Sequence, residues 1–216
     1  MGRVEVSVLI PAAGNGERLG LGPKAFLSVG GRTLLEWALL PFREASEVLV
    51  ALPPGAEPPR GLRATFLEGG RTRQESVYRL LEAASLPLVL VHDVARPFVS
   101  RKLVERVLEA TRKEGAAVPV LPVPDTLVRP EEARYGEVVP REALRLVQTP
   151  QGFFTALLRE AHAHARKRGL TATDDAQLVR ALGYPVALVE GERTAFKITY
   201  KEDLPLAEAL AQVWNA

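Results

Sequence analysis

Val4-Glu-Val-Ser-Val-Leu-Ile10 runs straight into Pro11-Ala-Ala-Gly-Asn-Gly-Glu-Arg-Leu-Gly-Leu-Gly-Pro-Lys24. The first segment is a near-continuous apolar and β-branched run, the pattern of a parallel strand buried on both faces. The second is a glycine-rich loop ahead of a helical stretch. Gly14 and Gly16 are expected to take positive φ and bring backbone NH groups close to an anion, because no Cβ intervenes. Arg18 and Lys24 add full positive charges. The loop reads as a phosphate cradle, with a plain glycine-rich turn as the alternative. It is not a Walker loop, since Lys24 follows Pro23 instead of standing in Gly-Lys-Ser/Thr. Nor is it the dinucleotide fingerprint. The sixth position counted from Gly14 is Leu19, and the second strand ends in Pro53-Pro54 with no acidic residue for a ribose.

Downstream, strand and helix patterns alternate. Thr33 to Phe42 has Leu34, Leu35, Ala38 and Leu39 at helical spacing behind Thr33 as N-cap. Val48 to Leu52 and Ala64 to Leu67 read as strands, separated by a proline-rich surface loop. Gly69-Gly70-Arg71-Thr72-Arg73-Gln74-Glu75-Ser76 opens a helix in which Thr72 and Glu75 are spaced as a capping box, and helix starts favour anions. Leu88 to His92 is a buried strand, Ser100 to Glu114 a helix and Ala116 to Val120 a strand. This alternation predicts an α/β fold with a doubly wound, mostly parallel sheet, a Rossmann-like arrangement.

The rhythm stops at Pro122. From about 123 to 150 only short extended pieces occur, around Asp125 to Val128, Gly136 to Pro140 and Leu144 to Thr149. So long a stretch without a helix predicts a protruding β-arm on a single 1–216 domain, and its strand edges invite pairing with a second subunit. Then follow an expected helix over Phe153 to Lys167, a helix capped within Thr173-Asp174-Asp175, closing strands at Pro185 to Val189 and Thr194 to Ile198, and a C-terminal helix from Asp203 to Trp214.

The 216 residues are 47% hydrophobic and 6% aromatic, so Leu, Val and Ala must fill the core. The formal charge of +2 is too mild to argue for nucleic acid and suits small acidic ligands. The absence of cysteine excludes disulfides, thiolate metal sites and a Cys nucleophile. With no secretory pattern and no long apolar run, a soluble cytoplasmic protein without a membrane partner is expected.

Candidate chemistry gathers at the ends of expected strands, where open α/β sheets bind ligands. Gly69 to Ser76, Asp93 to Arg96, Lys197 and Thr199 stand there. No nucleophile elbow accompanies His92, which argues against a hydrolytic triad. His162 and His164 lie two apart on a helix, face different ways and read as surface residues. Asp174 and Asp175 fit either a cation or a helix start.

Pro11-Ala-Ala-Gly-x-Gly-x-Arg18, Pro23-Lys24, Gly69-Gly70 with Ser76-Val77, His92-Asp93 with Ala95-Arg96-Pro97, Asp125-Thr126, Gln148-Thr-Pro-Gln151-x-Phe153, Thr173-Asp-Asp-Ala176 and Lys197-Ile-Thr199 together closely resemble the 2-C-methyl-D-erythritol 4-phosphate cytidylyltransferase family. The likeness spans essentially the whole chain. One departure is Val94, where the family usually has Ala beside the nucleotide ribose.

The resemblance implies transfer of a cytidylyl group from CTP to methylerythritol phosphate, with release of pyrophosphate, in non-mevalonate isoprenoid synthesis. It implies that Arg18 and Lys24 stabilise the transition state and that Lys197 and Arg141 hold the acceptor phosphate. Pro11 and the main chain of Ala12, Ala13, Gly14, Asn15 and Gly16 would wrap the triphosphate. Gly70 and Ser76 would meet base and ribose, with Asp93 and Ala95 also beside the nucleotide. Asp93, Arg96, Thr126, Thr149 and Thr173 would line the acceptor side. Mg2+ is expected mainly on the CTP phosphates, with no protein metal site. A homodimer is implied in which each arm completes the other subunit's active site. A cytidylyltransferase for ribitol 5-phosphate or a silent nucleotide-binding regulator are the alternatives.

Overall fold

A computed structural model describes residues 4–14 and 16–214. In chain order the strands are β1 (Val4–Pro11), the two-residue β2 (Ser28–Val29) and β3 (Arg32–Thr33), β4 (Ala45–Leu52), β5 (Thr65–Glu68), β6 (Leu88–Val91), β7 (Ala116–Pro122), β8 (Leu127–Glu131), β9 (Arg134–Val139), β10 (Arg145–Val147), β11 (Gln151–Phe154) and β12 (Ala187–Glu190). The α-helices are α1 (Leu34–Leu39), α2 (Arg73–Ala83), α3 (Arg101–Glu114), α4 (Thr155–Arg168), α5 (Asp175–Ala181) and α6 (Asp203–Val213).

Eight strands form one sheet. β1 lies parallel to β4 on one side and to β6 on the other, and β5 extends the β4 edge. Beyond β6 comes antiparallel β11, then β7, which also carries β10 antiparallel and β12 parallel. Because β10 and β11 each share a β7 residue with β12, they must lie along one edge of β7 and β12 along the other. The sheet is thus mixed α/β and mostly parallel, as expected. Phe153 and Phe154, expected as the start of the following helix, belong instead to a short strand, Gln151–Phe154, clamped between β6 and β7. Helix α4 starts only after it.

Alternation along β1 divides the core. Val6, Val8 and Ile10 face the layer of α1, α3 and α6, with Leu34, Leu35, Leu103, Val107 and Ala207. Leu9 faces α2, α4 and α5, with Val77, Leu80, Leu158 and Val179. Each fully buried Val or Leu side chain contributes about 1.5–3 kcal/mol, so a strand covered on both faces fixes the register of its neighbours.

Caps follow the sequence with one difference. Thr33 and Glu36 close a reciprocal capping box on α1, and Ser100 and Asp174 cap α3 and α5. Thr72 does accept from the Glu75 amide at 3.1 Å. The Glu75 carboxylate, however, accepts from the Arg71 amide at 2.9 Å, so it braces the preceding glycine turn and not Thr72. The strand expected over Thr194 to Ile198 is a 3-10 turn, Arg193–Ala195, followed by extended chain held by the Ile198 amide on the Ala95 carbonyl at 2.9 Å.

Of the arm, β8 and β9 pair, among the described residues, only with each other, as a separate two-stranded sheet. The Leu144 to Thr149 piece differs: β10 rejoins the main sheet through Val147 opposite Val120.

Candidate active site

The site lies at the C-terminal ends of β1 and β6. There the winding of the sheet reverses, and the loops that leave these strands diverge to open a crevice. A cleft of about 390 Å³ is lined by the first loop, the start of α2, the segment after β6 and Lys197.

The first loop is shaped by Gly16, whose φ is +62°. A Cβ there would sit 2.8 Å from Cγ of Lys24 and 2.9 Å from the Gly22 carbonyl oxygen. Glycine therefore lets the Lys24 stem cross the loop. Gly14 does not take a positive φ, contrary to expectation; its value to the cleft is the absence of a side chain. Lys24 Nζ donates to the Ile198 carbonyl at 2.8 Å, joining the first loop to the last core segment. Arg18 lies over the Tyr200 ring, 5.9 Å from its centroid.

Charge is concentrated here. Burial pushes the Lys24 ammonium below its ordinary pKa, and the nearby cations Lys197 and Arg18 push it further. Lys197 Nζ donates to one oxygen of Asp93 at 2.8 Å, and Arg73 Nε donates to the other at 2.9 Å. Burial alone would raise Asp93, but Arg73 and Lys197 hold it far below the usual carboxylate range. Arg73 continues to Asp175, Nη1 to Oδ2 at 2.8 Å, and Asp175 Oδ1 meets His162 Nε2 at 3.0 Å. Burial opposes the charge on Asp175 as well, and Arg73 followed by His162 overcomes it.

Most nominated residues reach this cleft: Pro11, Ala13, Gly14, Gly16, Arg18, Lys24, Gly70, Ser76, Asp93, Ala95 and Lys197 line it. Asn15 lies outside the described residues. Ala12 is buried behind the loop, its amide on the Ala51 carbonyl at 2.8 Å. The Ser76 hydroxyl is buried and bridges the Gly70 amide and the Thr72 carbonyl, each at 3.0 Å, so it shapes the glycine turn.

Thr149 is buried beneath the cleft. His92 Nε2 faces the Arg96 carbonyl at 3.1 Å, which can only accept, so Nε2 carries the proton. Nδ1 then accepts from the Thr149 hydroxyl at 2.9 Å, and that hydroxyl accepts from the Asp93 amide at 3.0 Å. Burial drives the His92 pKa down to about 4, keeping it neutral. The turn bearing Asp93 is thereby fixed from below. Arg96 ties the same turn to the Ala195 carbonyl at 2.7 Å and to the Val147 carbonyl at 3.3 Å, and does not line the cleft.

Thr126, Arg141 and Thr173 are exposed and outside the lining of this chain's own cleft. Arg141 begins a 3-10 turn after β9 and donates to the Pro124 carbonyl across the arm's base. Thr173 accepts from Gln177 at 2.6 Å.

Sequence reading places Arg73 in a candidate stretch and weighs Asp175 as a cation ligand or helix start, but misses that the two pair, and His162 is a correction. It is buried, not a surface residue, because Asp175 meets its Nε2 inside the protein. Asp175 is likewise buried against Arg73, while Asp174 is the helix cap, so this acidic pair serves structure on both counts. An available signal is the arginine at a helix start beside a glycine pair, a position where arginine is ordinarily solvated. Among the described residues no group of three metal-ligating side chains occurs, and both Asp93 oxygens already hold cations. The residues do not fit a metal cage made by protein alone.

The geometry has counterparts among known proteins. A family model for 2-C-methyl-D-erythritol 4-phosphate cytidylyltransferase matches residues 6–212. The chain belongs to this family. The cytidylyltransferase of that name from Thermus thermophilus is 81% identical over 213 residues, 99% of this chain and 100% of the relative. The one from Deinococcus radiodurans is 54% identical over 207 residues, 94% and 88% of the two chains. The crystal structure of the Thermus thermophilus cytidylyltransferase superposes with a TM-score of 0.92 at 78% identity, covering 97% of this chain and 100% of that one. Cytidylyl transfer from CTP to methylerythritol phosphate, in isoprenoid synthesis, is accordingly the activity of this chain. These names favour methylerythritol phosphate over ribitol 5-phosphate, and an enzyme over a silent regulator.

Proposed function

We propose that CTP lies in the cleft with its triphosphate along Pro11 to Gly16, and that Arg18, Lys24, Lys197 and Arg141 carry the chemistry. The observation behind this reading is the crowding of three cations. Lys24 is partly buried and further depressed by Lys197 and Arg18, an arrangement that a polyanion would relieve. The acceptor phosphate oxygen attacks the α-phosphorus as the bond to the bridging oxygen of pyrophosphate breaks. Arg18 and Lys24 neutralise charge on the α-phosphate and the leaving pyrophosphate, while Lys197 orients the acceptor phosphate. Fixed positive charge and alignment suffice, and no protein nucleophile is needed.

Gly70 and Ser76 shape the wall against base and ribose, and Asp93 and Ala95 bound the junction of nucleotide and acceptor. Arg96 and Thr149 hold that junction in place from behind. Magnesium, bound through CTP phosphates, would supply charge neutralisation on the pyrophosphate.

Within the same proposal the protein is a cytoplasmic homodimer whose arm brings Arg141 and Thr126 to the partner's acceptor pocket, with Thr173 at its rim. Two features support this. Arg141 and Thr126 are exposed and away from their own cleft, and apolar side chains stand exposed on and beside the arm, including Tyr135, Val138, Leu144 and Leu146. Among the described residues no helix is long and apolar enough to cross a membrane.

Pyrophosphate release tests the reaction, with CTP against ATP, GTP and UTP and with methylerythritol phosphate against ribitol 5-phosphate. Release only with CTP and methylerythritol phosphate is expected. For the arm, Lys24→Ala and Arg141→Ala proteins are mixed under conditions that exchange subunits. The mixed dimer regains one intact site if the arm acts in trans; proven exchange without recovered activity would sink that part of the reading.

A further inference from the structure

From the cleft inward runs a line of paired groups, Lys197, Asp93, Arg73, Asp175 and His162, every link 3.0 Å or shorter; Lys197 and Arg73 are partly exposed and the other three are buried. Only its first members border the cleft. Asp175 and His162 are both 1% exposed and do not line it. A buried ion pair contributes little net stability compared with an apolar pair of the same shape, so its presence points to a role in geometry.

That role follows from the forked shape of Arg73. Nε serves Asp93 and Nη1 serves Asp175, so the two carboxylates pull the guanidinium from different sides. Nη2 is buried without a partner among the described residues, which leaves the group no third anchor there. Without the Asp175 charge, Arg73 is free to turn its fork fully onto Asp93. A bidentate pair would then occupy both Asp93 oxygens, including the one that now holds Lys197 Nζ. Lys197 would lose the contact that aims its ammonium. His162 acts one step further back by donating from Nε2 to Asp175 Oδ1, which leaves Oδ2 directed at Arg73.

We propose that Asp175, held by His162, is a positioning residue for cytidylyl transfer. It anchors Arg73 so that Asp93 stays free to orient Lys197 toward the acceptor phosphate. The inference rests on the acceptor role given to Lys197 above.

The test compares Asp175→Asn, His162→Leu and His162→Gln with the wild type, each at equal concentration of folded protein judged by circular dichroism. KM is measured separately for methylerythritol phosphate and for CTP. Misplacing one group by about an ångström costs up to roughly a hundredfold in rate, so a tenfold or greater loss in kcat/KM for the acceptor is expected in Asp175→Asn and His162→Leu. KM for the acceptor should rise while KM for CTP stays within about twofold. His162→Gln, whose amide NH reaches the position of Nε2, should restore most of the loss. Two results would overturn the proposal: lower kcat with both KM values unchanged, or equal losses in His162→Gln and His162→Leu. The first would mean a smaller active fraction and the second a packing role. If Asp175→Asn does not fold, the two His162 variants decide by the same criteria. Failure of the underlying reading is distinct, since Lys197→Ala would then leave KM for methylerythritol phosphate unchanged.

Discussion

Lys24 has two partners to satisfy, the Ile198 carbonyl that holds it and the phosphate it is proposed to meet. Lys24→Ala should lower kcat by roughly a hundred- to thousandfold, about 2.7–4 kcal/mol of transition-state stabilisation, in a pyrophosphate-release assay. His92 governs a different observable. Its pKa falls from 6.5 to about 4 on folding, so between those values the unfolded chain binds more protons than the folded one. Stability should therefore decline as pH drops from about 6.5 to about 4, before the depressed carboxylates Asp93 and Asp175 begin to titrate. Thermal melts across that range check this, and His92→Gln should flatten the slope. At this scale the sequence is most informative where a motif names a residue and least where a partner comes from far away. Lys24 and Lys197 stand in recognisable strings. Arg73 and Asp175 meet across 102 positions, and His162 pairs with a residue on a different helix, so no local spacing exposes them.

Strands flanked by long helices are legible because the period of apolar residues changes from strand to helix. The strand β11 is not, since four residues leading into α4 offer no period of their own and its pairing partners come from β6 and β7. Gly152 records how tightly that strand is held: a Cβ would collide with Thr111 Oγ1 on α3. Gly152→Ala should cost about 1–3 kcal/mol by overpacking. For a chain of this size that lowers Tm by roughly 2–4 °C per kcal/mol, readable by calorimetry. The Thr194 to Ile198 segment fails as a strand for the opposite reason. Its residues Ala195 and Ile198 are buried, but Ile198 is fixed by one bond to Ala95 and by Lys24 instead of by a ladder.

For the whole molecule, the winding of the sheet and the place of the cleft are foreseeable from the order of strands and helices. What the arm does is not, because exposed edges reveal a capacity to pair and not the partner. Among the described residues the arm hairpin pairs with itself alone, so removing its tip, residues 128–138, should leave the core folded. On the dimer reading, sedimentation of that variant should show a monomer, with activity lost although CTP still raises Tm. The base of the arm is another matter. Pro122 faces Arg145 in the main sheet, so the chain leaves and returns through neighbouring positions of one ladder. Everything between those two residues is, in effect, a cassette plugged into a fixed socket. Apart from Thr126 and Arg141, which the proposed reaction needs, length and sequence there can change without re-registering a single core strand. On the dimer reading, exchanging the cassette between relatives would reassign which subunits recognise each other, leaving the nucleotide half of the enzyme as it was.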